Sequence, residues 1–157
     1  LKIGDIVKVD EVEGVVKDIG LRASQIRTWD GSDVLVPNDS LISGKLTNRT
    51  FNDSTRRLEI ELQLGMDIDA KLVLDLAINS AKTIPEIMKE PGPYGNYIGI
   101  VDGKSIIKVF AWVNDYSIGI QVGNDFKIAV YKALKEKGIE MSAPVIDVKY
   151  EQKLIKE

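Results

Sequence analysis

The alternation of polar and apolar positions changes character near residue 50. Up to that point the apolar residues come in short runs with a period of two, broken every few residues by Gly, Asp or Asn. Ile6, Val7 and Val9 form a first short strand after Gly4-Asp5, and Val12–Ile19 a second, interrupted by Gly14. A glycine inside a strand pattern predicts a bulge or a sharp bend at that position. Ala23–Thr28 reads as a third strand. Asp30-Gly31 is a hairpin signal, residues 34–36 a fourth strand, and Leu46–Asn48 a fifth. Pro37 has no N–H to give to a ladder, so the fourth strand should end there. Short strands with bends at glycine predict a small, strongly curved five-stranded β-barrel.

Residues 51–57 read as a linker, and a different pattern follows. Leu58, Ile60, Leu62 and Leu64 alternate with Glu59, Glu61 and Gln63, which is a strand with one buried face. Asp67 to Asp69 offer helix N-caps, and Val73, Leu76, Ala77, Ser80 and Ala81 then fall at helical spacing, ending near Pro85. Pro91-Gly92-Pro93-Tyr94-Gly95 reads as a loop. Residues 97–101 and 106–113 make a hairpin around Asp102-Gly103. A long helix with Val122, Phe126, Ala129, Val130, Ala133 and Leu134 on one face is closed by Gly138. The expected fold class is α+β: the small barrel, then a β-α-β-β-α module of ferredoxin-like type, then a C-terminal strand after Pro144. The corresponding domains are 1–51, 52–143 and 144–157.

Composition narrows the function. Of 157 residues none is cysteine or histidine, which removes thiol nucleophiles, disulfides, Cys/His metal sites and imidazole proton shuttles. Glu59/Glu61 and Asp67/Asp69 are the remaining candidates for acid–base work or a hard cation. The first pair lies on the solvent face of an alternating strand and the second at a helix start, where carboxylates are already favoured. No catalytic, cofactor-binding or metal-binding residue is expected. The net charge is −3, and residues 1–50 carry seven Lys and Arg against eight acids, with Trp29 their only aromatic. That balance does not make an electrostatic funnel for RNA, although Arg22, Arg27, Arg49, Arg56 and Arg57 keep a stand-alone Sm-like nucleic-acid-binding protein as the alternative reading. Phe110, Trp112 and Tyr116 read as core or interface aromatics. The apolar runs are far shorter than the roughly 20 residues that span a bilayer. The chain opens Leu1-Lys2-Ile3, without an initiator Met or a signal-peptide pattern, and reads as a fragment of something longer.

The run from Gly4 to Asn48 resembles the small-conductance mechanosensitive channel family, MscS-like. The matching pieces are Gly4-Asp5-Ile6-Val7, Gly14-Val15-Val16, and Ile19-Gly20-Leu21-Arg22-Ala23-Ser24-Gln25-Ile26-Arg27-Thr28. They continue in order with Asp30-Gly31, Val34-Leu35-Val36-Pro37-Asn38, Leu41 and Asn48. The resemblance implies a cytoplasmic vestibule domain below a membrane pore: an Sm-like β domain, then an α/β domain, assembled as a homoheptamer on the cytoplasmic side of the inner membrane. It implies transmembrane helices upstream, passage or filtering of ions and small osmolytes during hypo-osmotic shock, and no nucleic-acid partner. Gly14, Arg22, Arg27, Asp30, Gly31, Pro37, Asn38 and Asn48 become family-motif and assembly residues. Val145, Ile146, Val148 and Tyr150 become an intersubunit strand.

Overall fold

The computed structural model describes residues 1–140. The chain divides into two compact units, Leu1–Thr55 and a second from Arg56 onward. The fold is mixed α+β with antiparallel sheets.

The first unit is a five-stranded sheet of β1 (Ile6–Val9), β2 (Val12–Ile19), β3 (Ala23–Thr28), β4 (Asp33–Pro37) and β5 (Leu46–Asn48). Its order is β4-β3-β2-β1-β5, with every neighbouring pair antiparallel. The period of two is legible in what is buried: Val7, Val9, Val16, Ile26 and Val36 form the core. β4 ends at Pro37, as the missing N–H requires. The bulge in β2 lies between Val16 and Asp18, not at Gly14. Gly14 serves a different need, taken up below.

A short helix, α1 (Asn38–Ser43), follows β4 directly. The sequence reading gave only a strand stop there, because six residues are too few for a helical period to register. Pro37 stands at the N-cap, where a fixed φ and a missing N–H cost little, and Asp39 sits in the first turn, where a negative charge suits the helix dipole. Leu41 packs, half-buried, on the core of the first unit.

The second unit runs β6 (Arg56–Leu64), α2 (Ala70–Lys82), β7 (Tyr94–Val101), β8 (Lys104–Val113), a 3₁₀ turn and α3 (Gly119–Glu136). Its sheet has the order β6-β8-β7. Leu58 stands opposite Ala111, and Ile60 opposite Val109. These residues face Val73, Ala77 and Ala81 of α2 and Val122, Phe126, Val130 and Leu134 of α3 in one core. Asp69 caps α2, its carboxylate accepting from the N–H of Lys71 at 3.0 Å and of Leu72 at 3.4 Å. Gly138, in the left-handed region at φ 70°, follows the end of α3.

Two boundaries differ from the sequence reading. β6 takes in Arg56 and Arg57, which the sequence pattern places in the linker. Their side chains find ring partners in this unit, Arg56 over Tyr116 at 4.5 Å and Arg57 over Phe110 at 4.6 Å. β7 begins at Tyr94, within the expected loop, because Tyr94 stacks on Phe110 of β8 at 5.0 Å and Gly95 pairs with Val109. Val145, Ile146, Val148 and Tyr150 lie outside the described residues.

Candidate functional site

The motif residues of the first unit gather at three places on the sheet. The first is the contact between β2 and β3. Gly14 stands opposite Thr28, and a Cβ placed on it would lie 2.1 Å from the carbonyl oxygen of Arg27 and 2.6 Å from its carbonyl carbon. Glycine is required here by the close approach of another backbone. On the same strand the Arg27 guanidinium grips the Asp33 carboxylate with two bonds, 2.8 and 2.6 Å, across to β4. The pair raises the Arg27 pKa and lowers that of Asp33. The hairpin between them is set by Asp30, whose carboxylate accepts from the Thr28 hydroxyl and from the Ser32 N–H at 3.1 Å. Those bonds, the Thr28 hydroxyl foremost, hold Asp30 below the usual carboxylate range. Gly31 takes φ 88°, which an L side chain rarely adopts.

The second place is the junction of β4 and α1. Asn38 donates from Nδ2 to the carbonyl of Gly20 at 2.9 Å, accepts on Oδ1 from the Ser24 hydroxyl at 2.9 Å, and gives its own N–H to the carbonyl of Arg22 at 2.9 Å. One side chain thus ties the β2–β3 turn to the start of the helix. The Arg22 side chain is exposed and makes no ion pair among the described residues. Asn38→Ala leaves the fully buried Ser24 hydroxyl without its acceptor, so the first unit should lose about 2 kcal/mol. Chemical denaturation followed by the fluorescence of Trp29 measures this; an unchanged midpoint would mean that the two bonds contribute nothing.

The third place joins β1 to β5. The Asp5 carboxylate is 2% exposed. It accepts from Asn48 Nδ2 at 2.7 Å and from the Lys2 N–H at 3.0 Å, and Lys2 Nζ lies 3.1 Å away. Burial pulls the Asp5 pKa up, but the bonds from Asn48 and Lys2 outweigh it and leave it lowered. In the sequence Asp5 belongs to the motif that carries the resemblance but has no role of its own. No pattern rule marks a charged residue before a strand as the buried one; the available signal was the polar partner Asn48, far away in sequence.

The rival carboxylates do not converge on a reacting position. Glu59 and Glu61 share Lys108, at 2.9 and 3.9 Å, on the exposed sheet face, and Asp69 is spent on its cap. Arg49, one of the arginines considered for RNA, pairs with Glu13 at 2.8 Å. Among the described residues no group of three acids, histidines or cysteines could hold a metal ion. No helix among them is long and apolar enough to cross a membrane.

Most of the motif residues are thus spent on contacts within the first unit. Residues 1–50 match the family whose description is mechanosensitive ion channel, beta-domain. The chain is 32% identical over 98 residues to an MscS family protein of Haemophilus influenzae, covering 62% of this chain and 9% of that one. It is 21% identical over 151 residues to the miniconductance mechanosensitive channel MscM of Escherichia coli, covering 96% and 14%. The crystal structure of Helicobacter pylori MscS in its closed state has the same fold over 91% of this chain and 56% of that one, with a TM-score of 0.82 and 22% identity. Residues 1–50 thus match a family of mechanosensitive ion channel β-domains, and the chain is similar in sequence and in fold to MscS-like channels. It spans only 9% and 14% of the two relatives just named.

Proposed function

We propose that this chain is the cytoplasmic vestibule domain of a tension-gated channel, passing or filtering ions and small osmolytes during hypo-osmotic shock. The observation that carries the reading is the motif block of residues 1–50, most of which is spent on contacts within the sheet. In this reading residues 1–51 form an Sm-like β-barrel domain, 52–143 a ferredoxin-like α/β domain, and 144–157 a strand that pairs between subunits through Val145, Ile146, Val148 and Tyr150. The subunits form a homoheptamer at the cytoplasmic face of the inner membrane, held there by transmembrane helices upstream of Leu1.

Two features favour assembly. β4 and β5 are the edges of the first sheet, and open edges invite pairing unless something covers them. Leu35, on the edge strand β4, is 70% exposed. A closed ring satisfies such edges by repeating one heterologous contact. In this reading Gly14, Arg22, Arg27, Asp30, Gly31, Pro37, Asn38 and Asn48 are motif and assembly residues; Asn38 follows one edge strand, β4, and Asn48 ends the other, β5. The test is the mass of the whole protein extracted in detergent. Seven copies per particle are expected, with fewer in Asn38→Ala; a monomer or dimer in both would overturn the assembly reading.

A further inference from the structure

The chain comes into the first unit at Leu1 and leaves it after β5, and the register places those two ends side by side. β1 and β5 are antiparallel, with Val7 opposite Asn48, Lys8 opposite Thr47 and Val9 opposite Leu46. The start of β1 therefore lies beside the end of β5. A load that draws the two chain ends apart meets this pair as a zipper, with its backbone bonds strained one after another instead of together. A ladder of three residues loaded in that way has little resistance of its own.

The end of the ladder that takes the load first is where the structure adds side-chain bonds. The buried Asp5 carboxylate holds Asn48 Nδ2 at 2.7 Å. Next to it the Ile6 N–H donates to Thr50 Oγ1 at 3.0 Å, and the Arg49 N–H donates to the carbonyl of Ile6 at 2.8 Å. Asn48 Oδ1 in turn accepts from the Thr50 N–H at 3.0 Å. Incoming and outgoing chain are thus bridged across the mouth of the zipper by a charge-assisted bond whose carboxylate is buried.

We propose that the Asp5–Asn48–Thr50 cluster is a mechanical latch, which lets the first unit carry tension between its two chain ends without unzipping. It rests on the geometry of the first unit alone and does not depend on the channel reading.

The test is single-molecule stretching of the whole chain at constant force, with handles at its two ends. Opening of the first unit is identified by a gain of about 150 Å, the contour of residues 5 to 50 less their folded span. In Asp5→Asn and in Asn48→Ala the lifetime of that step should shorten about tenfold or more, the effect of losing one bond to a charged group from the barrier. Thr50→Val, which keeps Asp5 and Asn48, should shorten it less and serves if the other variants do not fold. Ile26→Ala supplies the control: it empties part of the core on β3, which is not a member of the β1–β5 pair, and lowers thermal stability at least as much. A latch predicts that the cluster variants lose far more lifetime per degree of melting temperature than Ile26→Ala. Equal losses, or lifetimes unchanged in the cluster variants, would overturn it.

Discussion

Gly14→Ala should lower the melting temperature of the first unit by about 15 °C, a loss of roughly 3 kcal/mol in a unit of this size. The added methyl would stand 2.1 Å from the Arg27 carbonyl oxygen and 2.9 Å from the Thr28 Cα. Both are backbone atoms of β3, which is held on its far side by β4. Neither can swing aside as a long side chain can, so β2 and β3 must separate. Gly31→Ala makes the contrast. A Cβ there meets nothing within 4 Å, and only the left-handed backbone is strained, so about 1 kcal/mol should be lost. Thermal melts of the two variants check the order; equal losses would mean that the β2–β3 contact relaxes freely.

Asp5 should make the first unit sensitive to acid in a direction fixed by its lowered pKa. Its bonds to Asn48 and Lys2 favour the carboxylate, so the native value lies below the 3.8 of an ordinary aspartate. The contribution is fully present above that ordinary value and is lost as pH falls through the native one. At neutral pH Asp5→Asn removes the charge from the acceptor shared by Asn48 and the Lys2 N–H and turns an NH2 toward the Lys2 ammonium, which should cost about 2 kcal/mol. Denaturant midpoints of the two proteins should therefore converge as pH falls below about 4. A difference that stayed constant down to strong acid would show that the carboxylate charge is not what holds β1 to β5.

Most of the strands were legible because each rule behind them is local. The period of two picked out β1, β2 and β3, and Pro37 stopped β4 where it had to. The apolar stripes of α2 and α3 were equally plain, with Gly138 closing the second. What escaped depended on partners distant in sequence or on elements too short to have a period. Tyr94 and Gly95 look like loop until Phe110 and Val109 are beside them. α1 is a helix of six residues whose start carries the Asn38 bonds. The glycine rule found Gly14 but assigned it a bulge, because composition cannot distinguish a backbone that bends from one that is closely approached. Local rules assign roles to Gly14, Asp30, Gly31 and Pro37, whereas Arg27, Asn38 and Asn48 rest on resemblance until the structure gives each a contact that explains its type. Asp5 joins them only once its burial is seen.

If this chain walls the vestibule of a tension-gated channel, the whole protein that contains it should conduct under membrane stretch. Purified, reconstituted in liposomes and recorded in excised patches under graded suction, it should give step currents whose open probability rises with tension. Patches that stay silent up to the tension at which the membrane ruptures, from protein shown to be inserted and assembled, would contradict the account.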